Sequence, residues 1–269
     1  MLAATLALCG TFAAATSAHV PTSAPIAAAV VPVAVFGADD RRRLDPRRAG
    51  LAGSIGLLFN NEARTVCTAF CVGDDLVATA GHCVTRANSG LKPDPAGTWF
   101  RSDIDGKHSF ARIKGAEDGS ATQNIMLGGA ALRLRPPIDA TGDWAVVRLS
   151  DSVCRGAVLP LAVLGPDELA AAAEAGTMLQ VSFHRDFKEW ELAEAVGCEI
   201  GTAFDDLKPE AIRSDFKNVD GLVLHRCDTG EASSGSPLLL DRPGGPAVVA
   251  INIGTYVQSR LTMKDGKAA

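Results

Sequence analysis

A chain of 269 residues with 47% hydrophobic content can bury one large core or two moderate ones. Its formal charge of -5 and its 5% aromatic content exclude nucleic acid as the expected partner, which calls for a basic stripe or for stacking platforms.

The first element in chain order is residues 1–18, apolar and ending in small residues, with Thr16 and Ala18 flanking Ser17. That pattern fits a secretory signal peptide cleaved after Ala18, and Pro21, Pro25 and Pro32 break any longer helix, so no stable membrane span is expected. A lipid anchor on Cys9 fits less well, because Leu8 occupies a place that wants a small residue. Residues 19–50 are rich in Ala, Pro and Arg and read as a propeptide or linker. The mature N-terminus is expected between Ala18 and about Ala49, with possible trimming in the arginine run Arg41 to Arg48 or just before Val35.

From Leu51 the pattern changes to short apolar runs of strand length, separated by Gly, Asn and Asp. Ile55–Phe59, Leu76–Ala80, Trp144–Leu149 and Ala247–Ile251 are such runs, and together they predict an all-β fold. One helix is expected, Pro166–Ala175, stopped by Gly176. Six cysteines remain beside Cys9, and an even number in an exported chain points to three disulfides with open connectivity. Zinc is the rival use, but Cys67-x-x-x-Cys71 lacks a second tight Cys/His pair, so no metal is expected.

Three blocks carry chemistry: Thr79-Ala80-Gly81-His82-Cys83, Gly142-Asp143-Trp144-Ala145 and Ala232-Ser233-Ser234-Gly235-Ser236-Pro237. A serine hydroxyl is a weak nucleophile near neutral pH and needs a positioned base. That base needs an acceptor on its other nitrogen. Ser234, His82 and Asp143 supply nucleophile, base and acceptor. Taken singly, each has a plainer reading: a core histidine, a turn aspartate, a Ser/Gly loop. The other histidines fit the base less well: His19 lies in the processed end, His108 beside a hairpin turn, His184 at a polar strand exit and His225 on a strand before Cys227.

In these blocks the chain resembles the chymotrypsin/trypsin-like serine proteases, and within them the bacterial branch with the glutamyl endopeptidases. The order His, Asp, Ser is that of chymotrypsin, whereas subtilisins and α/β-hydrolases run differently. The strongest match is Cys67 to Cys83, whose two end cysteines stand 16 residues apart as in the family. The resemblance implies two packed antiparallel six-stranded β-barrels with the active site between them, here 51–155 carrying His82 and Asp143, and 156–269 carrying Ser234. It also implies an exported, secreted or periplasmic endopeptidase acting on polypeptides through an acyl-enzyme, a monomer without cofactors. Bridges Cys67–Cys83 and Cys198–Cys227 follow from it, with Cys71–Cys154 as the remaining pair.

The family's oxyanion hole corresponds to the backbone N–H groups of Ala232 and Ser234. The family has Gly where this chain has Ala232, which points to strain or to a partly unformed hole. The second reading is therefore a weak or inactive protease-fold binding protein. An esterase is disfavoured, because no Gly-x-Ser-x-Gly elbow surrounds Ser234. Ser233 replaces the aspartate that receives the new N-terminus in trypsins, so that switch is expected to be absent. In the substrate pocket, Asp228 falls where trypsins read Arg or Lys, and Thr229 where glutamyl endopeptidases use a hydroxyl. Asn252 stands near the histidine with which the latter read Glu, and its presence weakens the case for Glu specificity.

Overall fold

The computed structural model describes residues 34–85, 97–104, 107–129, 136–187, 190–201 and 209–255. Residues 1–18, and with them the expected signal peptide, lie outside the described residues, as do 19–33 of the expected linker and His19.

The described chain is mostly β. Strand β1 (Arg42–Arg43) is followed by the short helix α1 (Leu51–Ser54) and by β2 (Ile55–Asn60), β3 (Thr65–Gly73) and β4 (Leu76–Ala80). Then come β5 (Thr98–Ile104), β6 (Lys107–Arg112), β7 (Ile125–Leu127) and β8 (Trp144–Arg148). Strands β2 to β8 form a seven-stranded antiparallel sheet in the order β6-β5-β2-β3-β4-β8-β7. Helix α2 (Pro166–Glu174) opens the second half, with Pro at its start and Gly176 at φ 65° just past its end. It is followed by β9 (Met178–Phe183), β10 (Leu192–Val196), β11 (Ile200–Gly201), helix α3 (Pro209–Asp215), β12 (Leu224–His225), β13 (Pro237–Leu240) and β14 (Ala247–Ile251). Here a five-stranded antiparallel sheet runs β1-β10-β9-β13-β14, and β11 pairs with β12.

Apolar residues at alternating or continuous positions explain these strands. Strand β9 is buried at all six positions, which suits a strand covered on both faces. The first sheet closes on Leu58, Phe100, Ile113, Val147 and Leu149. The two halves meet in a second cluster, in which Ile55 and Phe70 pack with Leu179, Val181 and Leu239. Disulfides join Cys67 to Cys83, Cys71 to Cys154 and Cys198 to Cys227.

Residues 34–50 do not behave as a linker. Ala34 pairs with Thr229, and Arg42 and Arg43 pair with Glu194 and Ala193 of β10. The Arg41 guanidinium, 2% exposed, is held by Asp39 (2.7 Å) and Asp186 (2.8 Å). Buried Glu194 accepts from Arg42 (2.9 Å) and Arg48 (3.3 Å). Of the arginine run read as a trimming site, Arg41 is withdrawn from solvent and Arg42, Arg43 and Arg48 pair with acidic residues of the C-terminal half, whereas Arg47 stays exposed and pairs with Asp45 beside it.

Candidate active site

Strand register brings the first two motifs together. Ala80 at the end of β4 lies opposite Trp144 at the start of β8, so the residues just beyond each strand become neighbours. The Gly81 N–H donates to the Asp143 carbonyl (3.1 Å), and the His82 N–H donates to Asp143 Oδ1 (2.8 Å). Asp143 Oδ2 lies 2.7 Å from His82 Nδ1, and the carboxyl is 2% exposed. One carboxylate thus fixes both the backbone and the ring of His82. The Cys67–Cys83 disulfide pins the same turn to β3.

The third motif is a loop stapled across the two halves by Thr68 of β3. The Thr68 N–H donates to the Ser234 carbonyl (2.9 Å), and its hydroxyl donates to the Ala232 carbonyl (2.8 Å). The same hydroxyl accepts from the Phe183 N–H at the end of β9 (3.1 Å). Gly235 sits at φ 85°, where a Cβ would overlap Thr79 Oγ1 and the Thr68 carbonyl, so only glycine lets the loop approach this closely. Thr68 has no counterpart in the sequence reading. It is one of two threonines in β3, and only its complete burial and its partners single it out.

His82 and Ser234 line one cleft of about 360 Å³, together with Gly230, Glu231, Ala232 and Ser233. Ala232 adopts φ 81°, the backbone region expected of glycine. The Glu231 carbonyl accepts from the Arg185 N–H (2.8 Å), and across the trans peptide this turns the Ala232 N–H the opposite way.

Of the three residues expected in the substrate pocket, Asp228 and Thr229 turn to the N-terminal segment, whereas Asn252 lines a cavity of about 210 Å³ with Asp143, His225 and Gly254. Asp228 is 2% exposed, and its carboxylate accepts from the Phe36 N–H (2.7 Å) and the Asp40 N–H (2.8 Å). It anchors the N-terminal segment and does not face the cleft. Thr229 is 4% exposed and pairs through its backbone with Ala34. Asn252 is buried behind the loop that carries Ser234, where its Nδ2 donates to the Ser233 carbonyl (3.1 Å) and hydroxyl (3.2 Å) and its Oδ1 lies 3.3 Å from His225 Nε2. This amide supports the loop at Ser233.

The remaining histidines are engaged. His184, at the exit of β9 as expected, is buried: its Nδ1 accepts from the Gly230 N–H (2.9 Å) and its Nε2 meets Ser182 Oγ (2.9 Å). Burial, and then the nearby Arg41 charge, lower its pKa to about 4. His225 Nδ1 accepts from the Cys227 N–H (3.2 Å), and burial lowers its pKa as well. His108 pairs with Asp103 across the β5–β6 hairpin. Cys67, His82 and Cys83 cluster closely enough to suggest a metal site, but both thiols are used in a disulfide and neither is free as a thiolate ligand.

Residues 67–251 match the family described as the trypsin-like peptidase domain. No curated protein matches the chain. Among solved structures, one described as a Glu endopeptidase in complex with MPD is similar at a TM-score of 0.53 and 15% identity, covering 82% of this chain and 88% of that one. That likeness is one of fold.

Proposed function

Because the chain belongs to the trypsin-like peptidase family and is a serine-type endopeptidase acting on polypeptides, we propose that His82, Asp143 and Ser234 form its catalytic triad. The observation that carries this reading is the double hydrogen bond from His82 to buried Asp143 at the edge of the cleft that Ser234 lines. With Asp143 accepting at Nδ1, the imidazole carries its proton there and presents the Nε2 lone pair to the nucleophile.

In the first step Ser234 Oγ attacks the peptide carbonyl carbon while His82 Nε2 takes the hydroxyl proton. The carbonyl π electrons move onto oxygen, where the N–H groups of Ala232 and Ser234 stabilise the charge. Collapse expels the amine, which receives the proton from His82 and leaves an ester on Ser234. Water, activated by the same histidine, then hydrolyses that ester.

A binding protein without activity is the weaker reading. It rests on Ala232 disrupting the oxyanion loop, yet Ala232 already has positive φ, and its neighbouring carbonyls are held by Thr68 and Arg185. The three disulfides support export, with residues 1–18 as its signal, and no described helix is long and apolar enough to cross a membrane. The sheets support two catalytic halves dividing near residue 155, the C-terminal half also taking up residues 34–50.

The test is labelling with a fluorophosphonate and mapping of the modified residue. Labelling at Ser234, lost in His82→Ala, is expected. An intact, folded protein that stays unlabelled at Ser234 overturns the mechanism.

A further inference from the structure

A second groove of about 510 Å³ continues from the catalytic cleft and shares Arg64, Thr65, Val66 and Arg185 with it. It runs past the β2–β3 turn toward Phe59, Phe110 and Trp190. Three cationic side chains line it, Arg64, Arg101 and Arg185, and none of its described lining residues is a carboxylate. Arg185 is paired with Glu231 (3.0 Å), and Arg101 lies over the Phe183 ring, its Nε 3.8 Å from Asp103. Arg64 has no ion pair among the described residues and stands exposed on its turn. Phe110, half exposed, adds an open aromatic surface.

Backbone geometry marks the same path. Among the described residues three non-glycine positions have positive φ: Arg64 (54°), Trp190 (64°) and Ala232 (81°). All three line this continuous depression. For a bulky residue such as Trp190 that conformation is an outlier, and such outliers concentrate where a chain positions groups for a ligand.

We propose that the groove binds the polypeptide substrate on one flank of the scissile bond and selects an acidic residue beside an aromatic or aliphatic one. The arginines supply the attraction for a carboxylate. Phe110 and Trp190 supply the apolar contact, and the continuity with the His82–Ser234 cleft lets one extended chain occupy both. The proposal rests on the catalytic reading above.

The experiment digests a peptide library with the wild-type chain and with Arg64→Glu and reads residue frequencies on both flanks of each cut. The wild type should favour Asp or Glu over Gln by about fivefold at one or two positions on one flank only, a preference that shrinks with added salt. Arg64→Glu, a change on an exposed turn, should erase or invert that preference toward Lys and Arg. General damage to the enzyme would slow all cuts without inverting charge selection. No acidic preference on either flank, or the same preference in the variant, overturns the proposal. If Ser234 takes no fluorophosphonate, the catalytic reading falls and the groove is judged by affinity alone. Peptides pairing Glu with Trp must then bind the full chain more tightly than Lys-with-Trp peptides, and equal affinity overturns it.

Discussion

Replacing Ala232 by glycine separates a strained but formed oxyanion loop from an unformed one. An L-residue in the left-handed region costs about 1–2 kcal/mol, which glycine does not incur. Against that relief, glycine frees the unfolded chain by about 0.4–1 kcal/mol, and the methyl removed from this 8% exposed site forfeits about 0.8 kcal/mol of burial. The opposing effects nearly cancel, so Ala232→Gly should shift stability by less than about 1 kcal/mol. The same change at Ala69, fully buried in β3 and without positive φ, has no strain to relieve and should cost roughly 1.5 kcal/mol or more. Urea unfolding with the disulfides intact compares the two. Turnover gives the second reading. One missing oxyanion donor lowers kcat by about 10²–10³. If Ala232 held the hole open, glycine would restore that factor. With φ already 81° and the Glu231 carbonyl bound to Arg185, the glycine variant should stay within about threefold of wild-type kcat on an ester substrate. A rise of two orders of magnitude would refute the reasoning, as would a stability loss equal to that at Ala69.

Asp143→Asn should lower kcat by about 10⁴ while leaving the fold intact, because an amide directs the wrong tautomer of His82; activity within tenfold of wild type would contradict the triad. Asp228→Asn keeps one acceptor but sets its NH₂ group against either the Phe36 or the Asp40 N–H, and should destabilise by about 1–3 kcal/mol, with unchanged selectivity for the residue before the cut. A change in that selectivity would return Asp228 to the pocket. His184, ordinarily near 6.5 and held at about 4 in the fold, binds its proton more readily in the unfolded chain. It has no effect on stability above pH 6.5, then withdraws up to about 3 kcal/mol as the pH falls from 6.5 to 4, a loss that His184→Gln should flatten in urea midpoints taken across that range. Chains beginning at Val20 and at Val33, which keep the Ala34–Thr229 pair, should turn over one substrate equally, whereas one beginning at Ala49 lacks Arg41 and β1 and should be markedly less stable and less active.

Features with a local signature were legible in the sequence. Strands β4, β8 and β14 and helix α2 follow from apolar runs and from Pro and Gly at their ends, and the three motifs lie beside them. Features defined by distant partners were not. The run Arg41 to Arg48 looks like a solvated basic loop until Asp186, Glu194 and Asp241 are placed beside it. Counting back from Ser234 gives the position of Asp228 but not the direction of its carboxylate, which donors 188 and 192 residues away decide. Helix α3 opens on Pro209 as α2 opens on a proline, but its seven residues are too few to show an apolar face.

The tie between Asp228 and residues 36–40 also sets an order of events as the chain is made. The segment emerges early, yet its anchor is synthesised about 190 residues later. At a synthesis rate of about 5–20 residues per second, that interval lasts roughly 10–40 s. For about the first 150 of those residues Arg41 has only Asp39 of its two counter-charges, and the edge formed by Arg42 and Arg43 has no strand to join. A segment made about 190 residues before its anchor is therefore among the last to find its place. Until it does, the stretch from Asp228 to Glu231 that leads into the nucleophile loop lacks one of its supports.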